Sequence, residues 1–146
     1  MQASRFLIAV VAFLSLSLSL VAGACDGPSA TTTTEAGGSS VVFGRGSVPE
    51  TVPSTFPIPD EAVVGATLVD ANRGLTEMIL NFPADVDAVV AYYEENLPAR
   101  GYEIGASAGT ETDWQIDGEG EGVRLVVTVR TFGNGVASAT IELRTI

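Results

Sequence analysis

The fold is decided by "ADVDAVVAYYEENLPARGY", residues 84–102. Val86, Val89, Val90, Tyr93 and Leu97 stand at i, i+3, i+4, i+7 and i+11, a spacing that puts all five on one face of an α-helix. Asp85 and Asp87 fall in or before the first turn, where carboxylates suit the positive end of the helix dipole. Gly101 supplies a residue able to take the left-handed conformation that closes a helix, and Pro98 kinks or ends the last turn. A helix with one apolar face needs an apolar floor, and the segments on either side provide it.

Upstream, "AVVGATLVD" is β-branched and apolar, Asn72-Arg73-Gly74 makes a turn, and "LTEMILNF" alternates, with Met78, Leu80 and Phe82 on one face and Glu77, Ile79 and Asn81 on the other. This is a hairpin, ended by Pro83. Downstream come "YEIGA", "TDWQI", "GVRLVVTVRT" and "VASATIELRT". Val123, Leu125, Val127 and Val129 share a face, and their counterparts in the last strand are Ala137, Ala139, Ile141 and Leu143. These elements predict an α+β fold, one mostly antiparallel sheet of about six strands packed on a single long helix, in the order β-β-α-β-β-β-β.

Register in the last hairpin follows from parity. A plain two-residue turn at Asn134-Gly135 pairs Gly133 with Val136 and sets every inward residue opposite an outward one, which the sheet accepts only with a bulge. Sliding by one residue restores the faces around a "GNG" loop and sets Arg124 opposite Arg144. A further slide sets Arg124 opposite Glu142 instead. Loop geometry outweighs one exposed ion pair, so the register with the two arginines opposed is expected.

The 146 residues hold one domain once targeting and linker segments are set aside. Residues 1–24 run from Arg5 through an apolar stretch to small residues, the order of a signal peptide. "AGAC", Ala22 to Cys25, resembles the box of bacterial lipoprotein signals, with Ala22 where such boxes usually carry leucine. The resemblance implies that Cys25, the only cysteine, is acylated and becomes the first residue of a protein anchored in the lipid bilayer of the cell membrane, facing outside the cytoplasm. Residues 25–51 then form the lipidated N-terminus and a flexible linker. The prolines of "SVPETVPSTFPIPDE" mark an extended lead-in, and residues 52–146 form the α+β domain.

Composition excludes several functions. Histidine and lysine are absent, and beyond the signal six arginines stand against eighteen acids, a side-chain net of −12, which opposes nucleic acid and anionic headgroups. Without histidine the usual base for a nucleophilic serine or cysteine is missing. Glu94, Glu95 and Glu103 are the carboxylates on which a hydrolase would rest, but the first two fall on the wet face of the helix. "DWQIDGEGEG" reads as a flexible hairpin loop, because a twelve-position calcium frame begun at Asp113 ends on Arg124 instead of glutamate. No metal or cofactor is expected.

Two groups remain as binding surfaces. Arg124, Arg130 and Arg144 share the outer sheet face by parity, suited to an envelope protein or an anionic cell-wall polymer. Tyr92, Tyr102 and Trp114 form the other group, with Trp114 sharing a face with Ile116 and read as core. The lead-in, the helix bearing Tyr92-Tyr93 and the Leu97, Gly101, Tyr102 step together resemble a loosely defined family of bacterial secreted proteins and lipoproteins of unassigned function, which brings no catalytic residues. The expected function is a noncatalytic, membrane-tethered extracytoplasmic domain that binds an envelope component. A small-molecule or glycan-binding lipoprotein is the alternative, and a carboxylate-dependent hydrolase a distant third.

Overall fold

The computed structural model describes Thr31–Thr34 and residues 40–146. Its helix, α1, spans Val86–Ala99, and each end has a local cause. Asp85 is the N-cap: its backbone is extended and its carboxylate accepts the Ala88 amide at 2.9 Å, satisfying one of the donors that a first turn leaves unpaired. At the other end Gly101 takes a φ of 88°, Tyr102 N donates to Leu97 O at 3.0 Å and Gly101 N donates to Pro98 O at 3.1 Å. Those two bonds are the Schellman closure, for which glycine is the cheapest residue. Pro98 sits inside the last turn, and the helix runs one residue past it. Val86, Val89, Val90, Tyr93 and Leu97 are all buried.

The hairpin before the helix comprises β3, Val63–Asp70, and β4, Leu75–Phe82. Its turn is fastened by the Asp70 carboxylate, which accepts the amides of Asn72 at 3.1 Å and Arg73 at 3.2 Å. After the helix β5 (Glu103–Thr110), β6 (Asp113–Gly120), β7 (Val123–Gly133) and β8 (Val136–Thr145) form an antiparallel meander. Pairing of β4 with β8 joins both halves into one sheet. The six expected strands are therefore present in the expected order.

Two more strands precede them, β1 (Thr31–Thr34) and β2 (Ser40–Arg45), giving an eight-stranded sheet in the order β1-β2-β3-β4-β8-β7-β6-β5. Both fall within residues 25–51, the segment read as linker. The reason is local: Val41-Val42-Phe43 has strand-forming side chains and no proline, and it finds a partner in β3, with Val42 opposite Val69 and Phe43 opposite Leu68. Only from Pro49 onward does proline govern the path. There the chain makes three turns, closed by Val52 N to Pro49 O, Phe56 N to Pro53 O and Ala62 N to Pro59 O, and drops Val52 and Phe56 into the core.

One face of the sheet carries that core. Met78, Leu80 and Phe82 of β4, Val123, Leu125, Val127 and Val129 of β7, Ile116 of β6 and Ala137, Ala139, Ile141 and Leu143 of β8 are all buried. Fully burying a large aliphatic side chain is worth about 1.5–3 kcal/mol, so this floor and the helix face dominate stability. The opposite, outer face is open along its length.

The β7–β8 register combines two of the expected alternatives. From Val123↔Thr145 to Thr131↔Ala137 the strands pair with Arg124 opposite Arg144, as parity requires. At the tip Gly133 pairs with Val136 around Asn134 and Gly135, whose φ angles of 53° and 73° make the primed turn that suits a hairpin. A bulge between Thr131 and Gly133 reconciles the two. "DWQIDGEGEG" departs further from its reading. It is a strand to Gly120, and only Glu121 and Gly122, with φ of 51° and 76°, form the turn. Alternation with the core face at Ile116 overrides the glycines, which serve close packing: a Cβ on Gly120 would lie 2.8 Å from Tyr102 Cα.

Candidate functional site

Parity places Arg124, Arg130 and Arg144 together on the outer face, as expected, and the register sets their neighbours. Arg130 Nε donates to Asp113 Oδ2 at 2.7 Å across the β6–β7 pair. Arg144 Nε donates to Glu142 Oε1 at 2.7 Å, two residues back on its own strand. Arg124 stands between Arg144 on β8 and Glu119 on β6. Glu77 opposes Glu142, and Asp117 opposes Val126. The three arginines thus form part of a mixed-sign surface in which acids outnumber them. Both pairs are solvent-exposed and worth under about 1 kcal/mol each. At its β5–β7 end the face dips into a depression of about 230 Å³ lined by Glu103, Gly105, Asp117, Gly118, Glu119 and Arg124.

The aromatic group is divided by the fold. Tyr102 is buried, with its hydroxyl 3.3 Å from Thr55 Oγ1, and its ring meets Phe56 edge-on at 6.0 Å. Burial pushes the Tyr102 phenol up, while the Thr55 bond acts the other way. Tyr92 is half-buried and stacks edge-on against Tyr93 at 5.3 Å; burial raises its phenol too, opposed by the charge of Arg100. Trp114 packs against the core, and its Nε1 donates to Ser107 Oγ at 2.8 Å. Ser107 Oγ in turn donates to Glu94 Oε1 at 2.6 Å. This chain of bonds ties β6, β5 and α1 together, giving Glu94 a structural partner on the exposed side of the helix.

Tyr93 lies on the apolar face of the helix, as its spacing predicts. It is fully buried, its hydroxyl meets no hydrogen-bond partner among the described residues, and burial raises its phenol strongly, with a smaller contribution from Tyr92. Periodicity located the side chain but carries no signal about what lies around its terminal oxygen.

Two recesses were not legible in the sequence. One, of about 240 Å³, lies between the helix start and the proline turns, lined by Pro59, Phe82, Pro83, Ala88, Val89 and Tyr92. The other, of about 520 Å³, opens under the turns on the inner side of β2 and β3, among Val42, Val48, Pro49, Glu50, Thr67 and Val69. It exists because α1 packs on β5 to β8 and leaves this end of the inner face to the proline segment. Gly44 opens its floor, since a Cβ there would come within 2.6 Å of Thr67 Oγ1.

Among the described residues no three His, Cys, Asp or Glu side chains are placed to hold a metal, and no helix is long and apolar enough to cross a membrane. The signal-like segment and Cys25 lie outside the described residues. Compared with protein-family models, with curated proteins and with solved structures, the chain matches none.

Proposed function

We propose that this chain is a noncatalytic binding module, exported, held to the outer side of the cell membrane through an acylated Cys25, and engaging another envelope component through its outer sheet face. The observation that carries the reading is the open face itself: β4, β8, β7 and β6 present charges of both signs on one side of the sheet, two arginines of which are ion-paired. Because Arg130 and Arg144 are engaged by acids of the same face, the surface favours an envelope protein of matching mixed charge over an anionic wall polymer. The tether rests on the order of Arg5, the apolar run, Ala22-Gly23-Ala24 and Cys25. The recess under the proline turns favours a second reading, a small-molecule or glycan-binding lipoprotein, since its size falls in the range of ligand cavities.

Both parts are testable in cells producing the full chain. An N-terminal peptide beginning at Cys25 with the mass of a diacylglyceryl group is expected from the membrane fraction, and Cys25→Ser should release or mislocalise a folded protein. Unchanged membrane anchoring of that variant would remove the tether. A photo-crosslinker at Val126 on the outer face should capture one envelope protein that a crosslinker at Glu95 on the helix does not. Identical captures from both positions would remove the face.

A further inference from the structure

The eight-stranded sheet ends on β5, whose side away from β6 has no strand beside it among the described residues. It ends there because α1 carries the chain from β4 past β8, β7 and β6 before the meander begins. Such an edge is a row of backbone donors and acceptors without partners, and proteins usually blunt it with charged side chains, proline, a bulge or a covering element. β5 reads "EIGASAGT": it has neither lysine nor proline, and six of its eight residues are exposed. A bulge between Ile104 and Ala106 interrupts its start, but Ala106 to Thr110 pairs with β6 in unbroken register. The side chains along that run are small, so they do not obstruct an approaching backbone.

Charge selects what can approach. Residues 103–120 contain Glu103, Glu111, Asp113, Asp117 and Glu119 and no lysine or arginine. On the inner side Glu94 of α1 reaches the same strand through Ser107. Of the two positive charges opposite on β7, Arg130 is held by Asp113 and Arg124 stands opposite Glu119, so the acids of this end still outnumber them. An acidic strand is repelled here, and a second copy of this chain would bring two acidic edges together.

We propose that the free edge of β5 accepts an extended, basic segment of a partner protein as a ninth strand, with main-chain bonds supplying affinity and lysine or arginine at alternate positions facing the acids of β5 and β6. A partner anchored along β5 lies over the adjoining outer face of β6 and β7, so the inference rests on the reading of that face as a docking surface and names the chemistry of what docks.

The test uses the full chain in detergent micelles and a probe peptide of alternating lysine and valine. A second peptide of the same sequence, N-methylated at every second residue, keeps the charge and removes the donors. The first peptide should slow amide exchange of Ala106 to Thr110 and bind at least about tenfold tighter than the second. Ala106→Lys with Ala108→Lys should abolish the difference, whereas Ala106→Gln with Ala108→Gln, of similar bulk and no charge, should retain it. Equal binding of both peptides, or binding without protection of β5, would reduce the effect to unspecific attraction by an acidic surface and overturn the proposal. Self-association of the chain with protection of the same amides would overturn it too, because the edge would then pair with itself. Loss of crosslinking at Val126 with intact pairing at β5 would remove the face reading alone.

Discussion

The alkaline limb of the stability curve should be governed chiefly by one side chain, Tyr93. The chain has no histidine and no lysine, so the folded domain holds no side chain of a type that titrates between its carboxylates and its phenols. Stability is therefore expected to be flat from mildly acid to mildly alkaline pH. All three tyrosines have phenols raised by burial, Tyr93 most of all. Below the unfolded value of about 10 a phenol is protonated in both states and adds no pH dependence. Above it the unfolded chain releases a proton that the native protein keeps, so stability falls as pH rises, by about 1.4 kcal/mol per pH unit for one fully buried phenol. Tyr92 is half-buried and Tyr102 has the Thr55 hydroxyl beside it, so each adds less.

Tyr93→Phe isolates this contribution. Its hydroxyl has no hydrogen-bond partner among the described residues, so at neutral pH the variant should lie within about 1 kcal/mol of the parent, on the stabilising side. Its alkaline slope should be shallower by about 1.4 kcal/mol per pH unit. Urea unfolding at neutral and at a series of alkaline pH values measures both quantities, and phenolate absorbance of the native protein shows which tyrosines ionise before it unfolds. An unchanged alkaline slope, or a loss of about 2 kcal/mol or more at neutral pH, would refute the reasoning, since the second result means that the hydroxyl has a partner worth a buried hydrogen bond.

Val90→Asp puts a carboxylate into the helix seam at a position only 6% exposed, and it should cost about 3–5 kcal/mol, read as a large fall in melting temperature; an unchanged melting curve would take this face out of the core. Gly109→Ala would drive a Cβ onto the Asp113 carbonyl oxygen and to 2.5 Å from Trp114 Cα, so about 1–3 kcal/mol and a shift in the emission of the single tryptophan are expected. Gly105→Ala on the same strand, with its nearest atom at 3.8 Å, should leave both nearly unchanged, and equal effects of the two changes would refute the close packing of Trp114 over Gly109.

The helix and its buried face were legible because 3.6-residue periodicity, an acidic N-cap and a closing glycine act within a few residues of one another. The inward residues of β4, β7 and β8 followed from parity, and parity also set the main register of the last hairpin. What no local pattern contains is which strands lie side by side. Pairing of β4 with β8 places Glu77 beside Glu142, pairing of β6 with β7 hands Arg130 to Asp113, and pairing of β2 with β3 turns a presumed linker into sheet. Each is a contact between residues distant in sequence: the first two assemble the apolar floor that the helix covers, and the third extends the sheet beyond the helix. For the same reason the arginines' shared face was visible in advance and its sign was not: direction along a strand is a property of the residue, whereas the charge of a surface belongs to the neighbours that the tertiary structure brings beside it.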